Sequence, residues 1–433
     1  MNTIIPTRFC YLLFVLSLPF LLFSETIHAQ SAGELQAGAA RINITPPADA
    51  AFQLAGYGGR TEGFTGILDS LYYRTIVVDD GRDRAAIIVG DLLFTTDLMW
   101  ERLSKRIEKE TGIPRRHIVL AATHTHGAPA LFRNEDIEGK LKEYTNEVAD
   151  KIVQSVKYAL ASLQPAKIGA GKGTANVNIN RVARMGAGGY WLGQNPDGPS
   201  DKTVHVVRFE DLDGNPIAIL VNYAVHGVVG GPGNLRVTAD LPGATSRMVE
   251  KHYGDNVVVP WTSGAAGDQN PIYAVLENPN SGRVQHMTVL GQILGEEVIA
   301  VSENIARMTS RASIRGEQKV VSIPGKEPNA YNPDGEYEFI DADPLDVRLS
   351  LLMVGHLAFG CVSGEVLTGI GKRFKNESPF KHSIMITHCN GASGYLPDDQ
   401  AYERPGYEIM VSRAKEGAEN SIVNGLIQMI NGL

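Results

Sequence analysis

Cysteine is scarce in this sequence, with three residues in 433. Cys10 lies in an N-terminal apolar segment, and Cys361 and Cys389 are separated along the chain. Two separated cysteines cannot build a cysteine-based metal cluster, so that class of site is excluded. Cys361 and Cys389 could form one disulfide in an oxidising compartment or be two small buried apolar side chains, and the sequence leaves both open.

The sequence also lacks an apolar stretch long enough to cross a membrane, which takes about 20 residues. The N-terminal apolar run from Tyr11 to Phe23 follows the basic Arg8 and precedes small residues near Ala29. This arrangement is typical of a secretory signal peptide. We expect residues 1–30 to be removed, leaving residues 31–433 as a secreted or periplasmic domain. Cys10 lies within the apolar run and not at the cleavage site, which disfavours a lipid-anchored lipoprotein.

No run of lysine or arginine is present, and the formal net charge is −8. An acidic chain of this kind has no electrostatic footprint for nucleic acid or for an anionic membrane. The expected partner is therefore a small molecule, a lipid or a glycan, with no transmembrane segment in the mature chain. The sequence gives no signal for an oligomeric state.

Neither an internal repeat nor a low-complexity linker divides the chain. Apolar runs rich in β-branched residues alternate with amphipathic stretches of helical length, which predicts one large α/β domain with a mixed β-sheet flanked by helices. The predicted strands are Tyr72–Val78, Ala85–Val89, Ile118–Ala121, Val204–Phe209, Ile217–Tyr223, Val257–Trp261, Leu351–Phe359 and Ile384–Thr387. The predicted helices are Leu98–Thr111, Ile137–Leu163, Ala244–Tyr253, Val284–Met308 and Ala414–Asn431. In such sheets, ligands gather where strands end and loops begin.

A pair of histidines follows one of these strand ends. His124 and His126 come just after the predicted strand Ile118–Ala121. On an extended backbone, residues two apart point to the same side, so the pair suits a metal ligand and a neighbour that acts on bound substrate. The alternative is a pair of surface histidines in a turn.

Further strand ends carry residues that could complete a metal site. The strand Ile217–Tyr223 leads to His226, and the strand predicted through Phe359 leads to Glu365. Alone, His226 is equally consistent with a hydrogen-bonded core histidine, and Glu365 with a charge at a helix N-terminus. Together with His124 they provide two histidines and a carboxylate, the usual protein ligands of a hydrolytic zinc site.

The segment Gly264–Pro271 is rich in small residues that let a backbone approach a ligand closely. Its Asp268 and Asn270 can hydrogen-bond a ligand, or they can form a structural Asx-turn before Pro271. Tyr395 and Tyr407 follow the last predicted strand, and neither is informative alone.

Taken in order, these segments resemble the catalytic domain of the neutral/alkaline (non-lysosomal) ceramidases and of bacterial relatives with this domain only. The resemblance runs from about residue 38 to about residue 412. It rests on Ala40–Pro46, Thr123–Gly127, Asn178–Arg181, Asn195-Pro196, His226-Gly227, Gly264–Pro271, Gly364-Glu365 and the pair Tyr395 and Tyr407.

The resemblance implies a ceramidase-like α/β fold and hydrolysis of an amide bond in a ceramide-like N-acyl substrate by a zinc-activated water. It implies that the zinc ligands are His124, His226, Glu365 and Tyr395. His126 would handle a proton beside the metal, and Tyr407 would place a hydroxyl near the substrate carbonyl. Arg181 would contact the substrate, together with Asp268 and Asn270.

The sequence departs from the family pattern at Asn270, where ceramidases place a serine, and over Gly186–Trp191. The resemblance also does not extend to the C-terminal β-sandwich domain of typical members. Two alternatives therefore stay open. One is a zinc esterase or carbohydrate deacetylase acting on extracellular polysaccharide, for which Tyr190 and Trp191 would suit a polar ring with an apolar face. The other is a non-catalytic exported binding protein with the same fold.

Overall fold

A computed structural model describes Met1 and residues 32–132, 138–186, 188–254, 256–273, 283–328 and 339–433. The described part of Ala32–Leu433 forms one unit. Except for Met1, the predicted signal peptide lies outside the described residues, as does the first residue of the helix predicted at Ile137–Leu163. Among the described residues, no helix has the length and apolar character needed to cross a membrane.

The strands of the described residues are β1 (Gly33–Glu34), β2 (Gln36–Asn43), β3 (Gly66–Ile67), β4 (Tyr72–Asp79), β5 (Arg84–Gly90), β6 (Ile118–Ala122), β7 (Gln164–Thr174), β8 (Asn178–Arg184), β9 (Tyr190–Asn195), β10 (Thr203–Asp211), β11 (Pro216–Tyr223), β12 (Arg236–Val237), β13 (Trp261–Ser263), β14 (Gln269–Pro271), β15 (Arg311–Ala312), β16 (Ile314–Lys326), β17 (Asp341–Val354), β18 (Leu357–Val362), β19 (Glu365–Val366), β20 (His382–Ile386) and β21 (Tyr395–Leu396). The α-helices are α1 (Asp97–Thr111), α2 (Gly139–Ala161), α3 (Asp240–Tyr253), α4 (Arg283–Glu303), α5 (Thr368–Glu377), α6 (Tyr407–Val411) and α7 (Ala418–Gly432).

Two mixed sheets form the centre of the fold. The larger has eight strands in the order β13-β11-β10-β7-β2-β4-β5-β6, and the smaller has four in the order β16-β17-β18-β20. Within them, β5 and β6, β11 and β13, and β18 and β20 are parallel pairs, and the other neighbours are antiparallel. The predicted α/β class with a mixed sheet flanked by helices is confirmed, although the sheet is divided in two.

The two sheets pack face to face around a shared apolar core, to which Val119 and Phe209 contribute from the larger sheet and Phe359 and Ile384 from the smaller. The outer face of the larger sheet is covered by α1 and α2 at one end and by α3 and α4 at the other. Helices α5 and α7 cover the outer face of the smaller sheet. Each sheet is thus covered on both faces, which explains why strands such as β5, β6, β11 and β18 are nearly continuous apolar runs.

The strand predicted at Leu351–Phe359 is wrong, because the chain reverses direction there. β17 ends at Val354, and β18 begins at Leu357, which pairs with Val354 across the turn. Gly355 has a φ of +61°, a left-handed conformation that glycine adopts without steric cost. It therefore closes a two-residue hairpin loop of a common type.

Other observed element boundaries differ from the predicted ones by about four residues. The strand predicted at Val257–Trp261 begins only at Trp261, because Pro260 has no amide hydrogen to donate to a ladder. Pro242 lies in the first turn of α3, a position where proline is tolerated, so that helix begins four residues before the predicted Ala244. Helix α4 ends at Glu303 instead of Met308, and α7 begins at Ala418 instead of Ala414.

The strands β2, β7 and β16 were not predicted. In β7, glycine occupies positions 169, 171 and 173 because α4 and the segment after it pack directly on the strand. A Cβ at Gly173 would lie 2.0 Å from Glu297 Oε1, and one at Gly171 would lie 2.7 Å from Val301 Cγ1. Glycine thus allows a close approach of the helix, but it removes the apolar pattern from which a strand is predicted.

Candidate metal centre

Three strand ends from the two sheets meet at one place. His124 follows β6, His226 follows β11, and Glu365 follows β18. Although β6 and β11 lie near opposite edges of the larger sheet, the segments after them form a β-bridge between Thr125 and Gly227. Glu365 Oε2 lies 3.5 Å from His124 Nε2 and 3.4 Å from His226 Nε2.

Each of the two histidine rings is fixed by its other nitrogen. His124 Nδ1 donates to the Leu93 carbonyl at 2.8 Å, and His226 Nδ1 donates to the Ala266 carbonyl at 2.8 Å. Because a carbonyl can only accept, both rings carry their proton on Nδ1 and present the lone pair of Nε2 to Glu365. This tautomer, held by a backbone carbonyl, is the usual arrangement of metal-ligating histidines.

The donor atoms fit a metal ion. Glu365 Oε2 is buried and has no hydrogen-bond partner in the described part of the chain, an unfavourable state for a carboxylate that a cation would relieve. Two histidine-rich groups have their ligand atoms within 4.8 Å of one another: His124 with His126 and His226, and His124 with Glu365 and His388. Imidazole and carboxylate groups are common ligands of divalent transition-metal ions.

His126 lies beside the two histidines and lines the pocket. Its Nε2 is 3.4 Å from His124 Nε2, and its Nδ1 is buried without a partner among the described residues. Gly56, with a φ of +103°, lies against this ring, where a Cβ would be 2.3 Å from His126 Nδ1. The edge of the Tyr57 ring meets the His126 ring at a centroid distance of 4.8 Å. The loop Gly56–Arg60 therefore forms one wall of the site.

Arg181 connects His226 and Tyr395 to the side chains behind them. Its guanidinium donates to Tyr395 Oη at 2.9 Å, to His226 Nε2 at 3.2 Å and to Asn270 Oδ1 at 3.3 Å. Its Nε pairs with Glu408 Oε1 at 2.6 Å, and both side chains of this pair are buried. Tyr395 pairs with Glu365 in the β19–β21 ladder, and its hydroxyl helps to lower the pKa of the Glu365 carboxyl, so the fourth predicted ligand lies beside the third.

An open cavity of about 680 Å³ leads to this centre. Of the predicted site residues it is lined by His124, His126, Arg181, Asn270, Glu365, Tyr395 and Tyr407. His226 is buried behind them. Tyr407 packs edge-on against Tyr395 at 5.8 Å and against Trp191 at 5.6 Å, between ring centroids. The predicted site residues are therefore brought together, with one exception.

Asp268 does not line this cavity. It is buried, and its carboxylate accepts from the backbone amide and the hydroxyl of Thr368 and from Asn180 Nδ2. Burial raises the pKa of its carboxyl, and the bonds from Thr368 oppose this shift. The described contacts are those of a residue that anchors the loop carrying Asn270, and a direct substrate contact at Asp268 stays a prediction.

Burial and neighbouring charges together determine the protonation of the centre. It lowers the pKa of His124 and, together with the neighbouring charges, lowers the pKa of His126 and His226 well below the ordinary value. Burial raises the pKa of Glu365, but His124, His388 and Arg181 outweigh it, so that the net pKa lies below the ordinary value. Neutral imidazoles and an ionised carboxylate are the forms that bind a cation.

Sequence reasoning missed residues that touch the centre from outside the matching motifs. They include His388, which stacks on His124, Tyr57, which touches His126, and Glu408, which pairs with Arg181. Glu408 directly follows Tyr407, and this adjacency was the available signal for it. Cys361 and Cys389 are both buried, and they form no disulfide with each other in the structure.

Comparisons with known proteins identify the family to which the chain is similar. Residues 35–288 match the family described as neutral/alkaline non-lysosomal ceramidase, N-terminal. Neutral ceramidase A of Dictyostelium discoideum is 30% identical over 343 residues, which cover 73% of this chain and 43% of that protein. A neutral ceramidase of Drosophila pseudoobscura pseudoobscura is 25% identical over 349 residues, covering 68% of this chain and 48% of that protein. The chain thus spans less than half the length of these relatives.

Among solved structures, the neutral ceramidase of Pseudomonas aeruginosa has the same fold. It superposes with a TM-score of 0.77 over 92% of this chain and 75% of that chain, at 16% sequence identity. At this identity the likeness concerns the fold alone.

Proposed function

This chain belongs to the neutral/alkaline non-lysosomal ceramidase family, and from that membership we propose that it is a zinc-dependent hydrolase of an amide bond in a ceramide-like N-acyl substrate. The observation that carries the proposal is the convergence of His124 Nε2 and His226 Nε2 on the unpartnered Glu365 Oε2. Both Nδ1 protons are committed to carbonyl groups. Glu365 Oε2 has no hydrogen-bond partner among the described residues, and a cation between the three atoms would satisfy it.

The zinc ion would be held by His124, His226, Glu365 and Tyr395. A zinc ion in such a site supplies Lewis acidity, which polarises a carbonyl group and makes water nucleophilic at neutral pH. Burial raises the pKa of the Tyr395 phenol, and the bond from Arg181 Nη2 to Tyr395 Oη opposes this shift because it favours the ionised form.

The remaining residues bind the substrate and move protons. His126, whose Nδ1 has no partner among the described residues, would take up a proton and deliver it to the departing amine. Tyr407 would donate from its hydroxyl to the oxygen of the scissile carbonyl as negative charge develops there. Arg181 and Asn270 would hydrogen-bond the polar part of the substrate, and Asp268 would contribute through the loop that carries Asn270.

The compartment is part of the proposal. The basic start, apolar run and small residues of positions 1–30 suit a signal peptide, so the domain 31–433 would act in the periplasm or outside the cell. An N-acyl lipid substrate would reach the cavity beside the loop Gly56–Arg60.

A carbohydrate deacetylase is the second candidate function. The edge-to-face contact of Trp191 with Tyr407 places an indole next to a cavity residue, and aromatic rings of this kind suit the apolar face of a sugar. Asn270, in place of a family serine, offers both a donor and an acceptor to a polar ring.

An assay panel distinguishes these functions. The zinc-loaded protein is incubated with a short-chain N-acyl sphingosine, an N-acetyl sugar oligomer and a simple ester, each with and without a chelator. We expect chelator-sensitive release of the fatty acid from the N-acyl sphingosine. Release of acetate from the sugar alone would favour the second function, and zinc binding without turnover of any substrate would contradict both.

A further inference from the structure

His388 is a buried histidine that the proposed mechanism does not use. It follows β20 by two residues and has a φ of +53°, an unfavourable conformation for a residue other than glycine. Its amide donates to the Gly364 carbonyl at 3.2 Å, and its carbonyl accepts from the Ala122 amide at 3.3 Å. The backbone of His388 therefore joins the segment that carries Glu365 to the strand end that carries His124.

The next residues strengthen this junction. Asn390 Oδ1 accepts from the Leu120 amide at 2.8 Å, and Asn390 Nδ2 donates to the Ile118 carbonyl at 3.0 Å. Its own amide donates to the Leu120 carbonyl at 2.9 Å. The segment 388–390 thus lies along β6 like an added strand, and the position of His388 relative to His124 is fixed by the backbone.

The imidazole of His388 lies flat on the imidazole of His124. The ring centroids are 3.8 Å apart and the planes differ by 9°. A nitrogen binds a metal ion in the plane of its ring, at about 2.0–2.1 Å for zinc. Because the two rings are stacked and nearly parallel, their in-plane nitrogen lone pairs do not converge on one point, so His388 would not hold the same ion as His124.

We propose that His388 is a positioning residue that fixes the ring of His124 for metal binding through its flat face. The proposal depends on the proposed metal site. The Nδ1 bond to Leu93 leaves the His124 ring free to tilt about that bond, and the stacked His388 ring removes this freedom on one face. The edge of His126, at a centroid distance of 5.0 Å and 90°, limits the ring from another side.

The test compares His388→Ala, which removes the face, with His388→Phe, which keeps a flat ring but has no nitrogen. Zinc affinity is measured by competition with a chromophoric chelator, and the ligand geometry is read from the visible absorption spectrum of the cobalt(II) form. We expect His388→Ala to weaken zinc binding by about 10–100-fold, the range for residues that orient a ligand, and to shift the cobalt spectrum. His388→Phe should restore most of the affinity and the spectrum.

His252→Ala, which removes a half-exposed histidine at the end of α3, is the matched control and should change neither measurement. Thermal unfolding of the metal-free proteins shows whether each variant folds. If His388→Phe does not fold, the zinc affinity and cobalt spectrum of His388→Ala alone decide the test. Wild-type zinc affinity and cobalt spectrum in His388→Ala would overturn the proposal. A folded His388→Phe variant that binds zinc as weakly as His388→Ala would also overturn the proposal, because a ring nitrogen would then be required. A wild-type protein that binds no zinc would instead overturn the metal site itself.

Discussion

Replacing Glu408 by glutamine removes the charge from the buried partner of Arg181. A matched ion pair exists elsewhere in the chain, where Arg373 Nε meets Glu377 Oε1. Both pairs have an N–O distance of 2.6 Å. They differ in exposure: the side chains are 6% and 3% exposed in the Arg181–Glu408 pair, but 26% and 43% exposed in the Arg373–Glu377 pair. The comparison therefore contrasts a buried pair with a partly exposed pair of the same N–O distance.

The expected losses in the free energy of unfolding differ severalfold. Removing one partner of a buried pair leaves an uncompensated charge and costs about 3–5 kcal/mol. Since glutamine can still accept one hydrogen bond from Arg181, we expect Glu408→Gln to lose about 2–4 kcal/mol. A pair four residues apart on a helix surface contributes about 0.3–0.5 kcal/mol, which is the loss expected for Glu377→Gln.

Urea unfolding of the metal-free protein, followed by tryptophan fluorescence and circular dichroism, measures both losses. The metal-free form is required because bound zinc would add its own stabilisation. Equal losses in the two variants would refute the reasoning, because burial would then not determine the contribution of the pair. A larger loss in Glu377→Gln would refute it as well.

Three further predictions concern separate parts of the molecule. His126→Gln should retain zinc but lower kcat by about 10²–10⁴-fold, because a proton-transfer group is lost; zinc loss measured by elemental analysis would instead make His126 a ligand. Burial, with Asp268 and Glu419 nearby, raises the pKa of Asp398 to about 6. Between about pH 4 and 6 the folded chain therefore binds more protons than the unfolded chain, and the free energy of unfolding falls as the pH rises through this range. Asp398→Asn should therefore gain about 1–2 kcal/mol above pH 6 and nothing below pH 4 in urea unfolding, and a pH-independent effect would contradict this. Arg60 donates to the carbonyls of Ala55, His126 and Asn234 and so anchors its loop. Arg60→Met should therefore speed amide hydrogen exchange at Gly56–Gly59. Unchanged exchange would contradict this role of Arg60.

Much of the centre could be predicted because its residues directly follow apolar strands. The strands before His124 and His226 are buried on both faces, so their apolar runs are easy to recognise, and the polar residues after them mark the sheet end. Glu365 was predicted from the same pattern even though the strand before it was misplaced, because the error lay at the Gly355 turn and not at the strand's end. The assignment of Tyr395 needed the family resemblance, since spacing alone does not indicate a phenolic ligand.

The contact of His388 with His124 could not be predicted, because it depends on how two separate sheets meet. His388 follows β20 of the smaller sheet, and its place beside β6 of the larger sheet is set by backbone hydrogen bonds of residues 388–390 and by the side chain of Asn390. The partners of Arg181 likewise come from distant segments, with Glu408 lying 227 residues further along the chain. The periodicity of apolar residues indicates which face of an element is buried, but it does not indicate which elements are neighbours.

The central claim is that His124, His226 and Glu365 hold a metal ion, and metal content tests it most directly. The purified protein and the double variant His124→Ala/His226→Ala are loaded with zinc, desalted and analysed for zinc per chain, with circular dichroism to verify the fold. The account predicts close to one zinc ion per wild-type chain and almost none in the double variant. Full zinc retention in a folded double variant would contradict it.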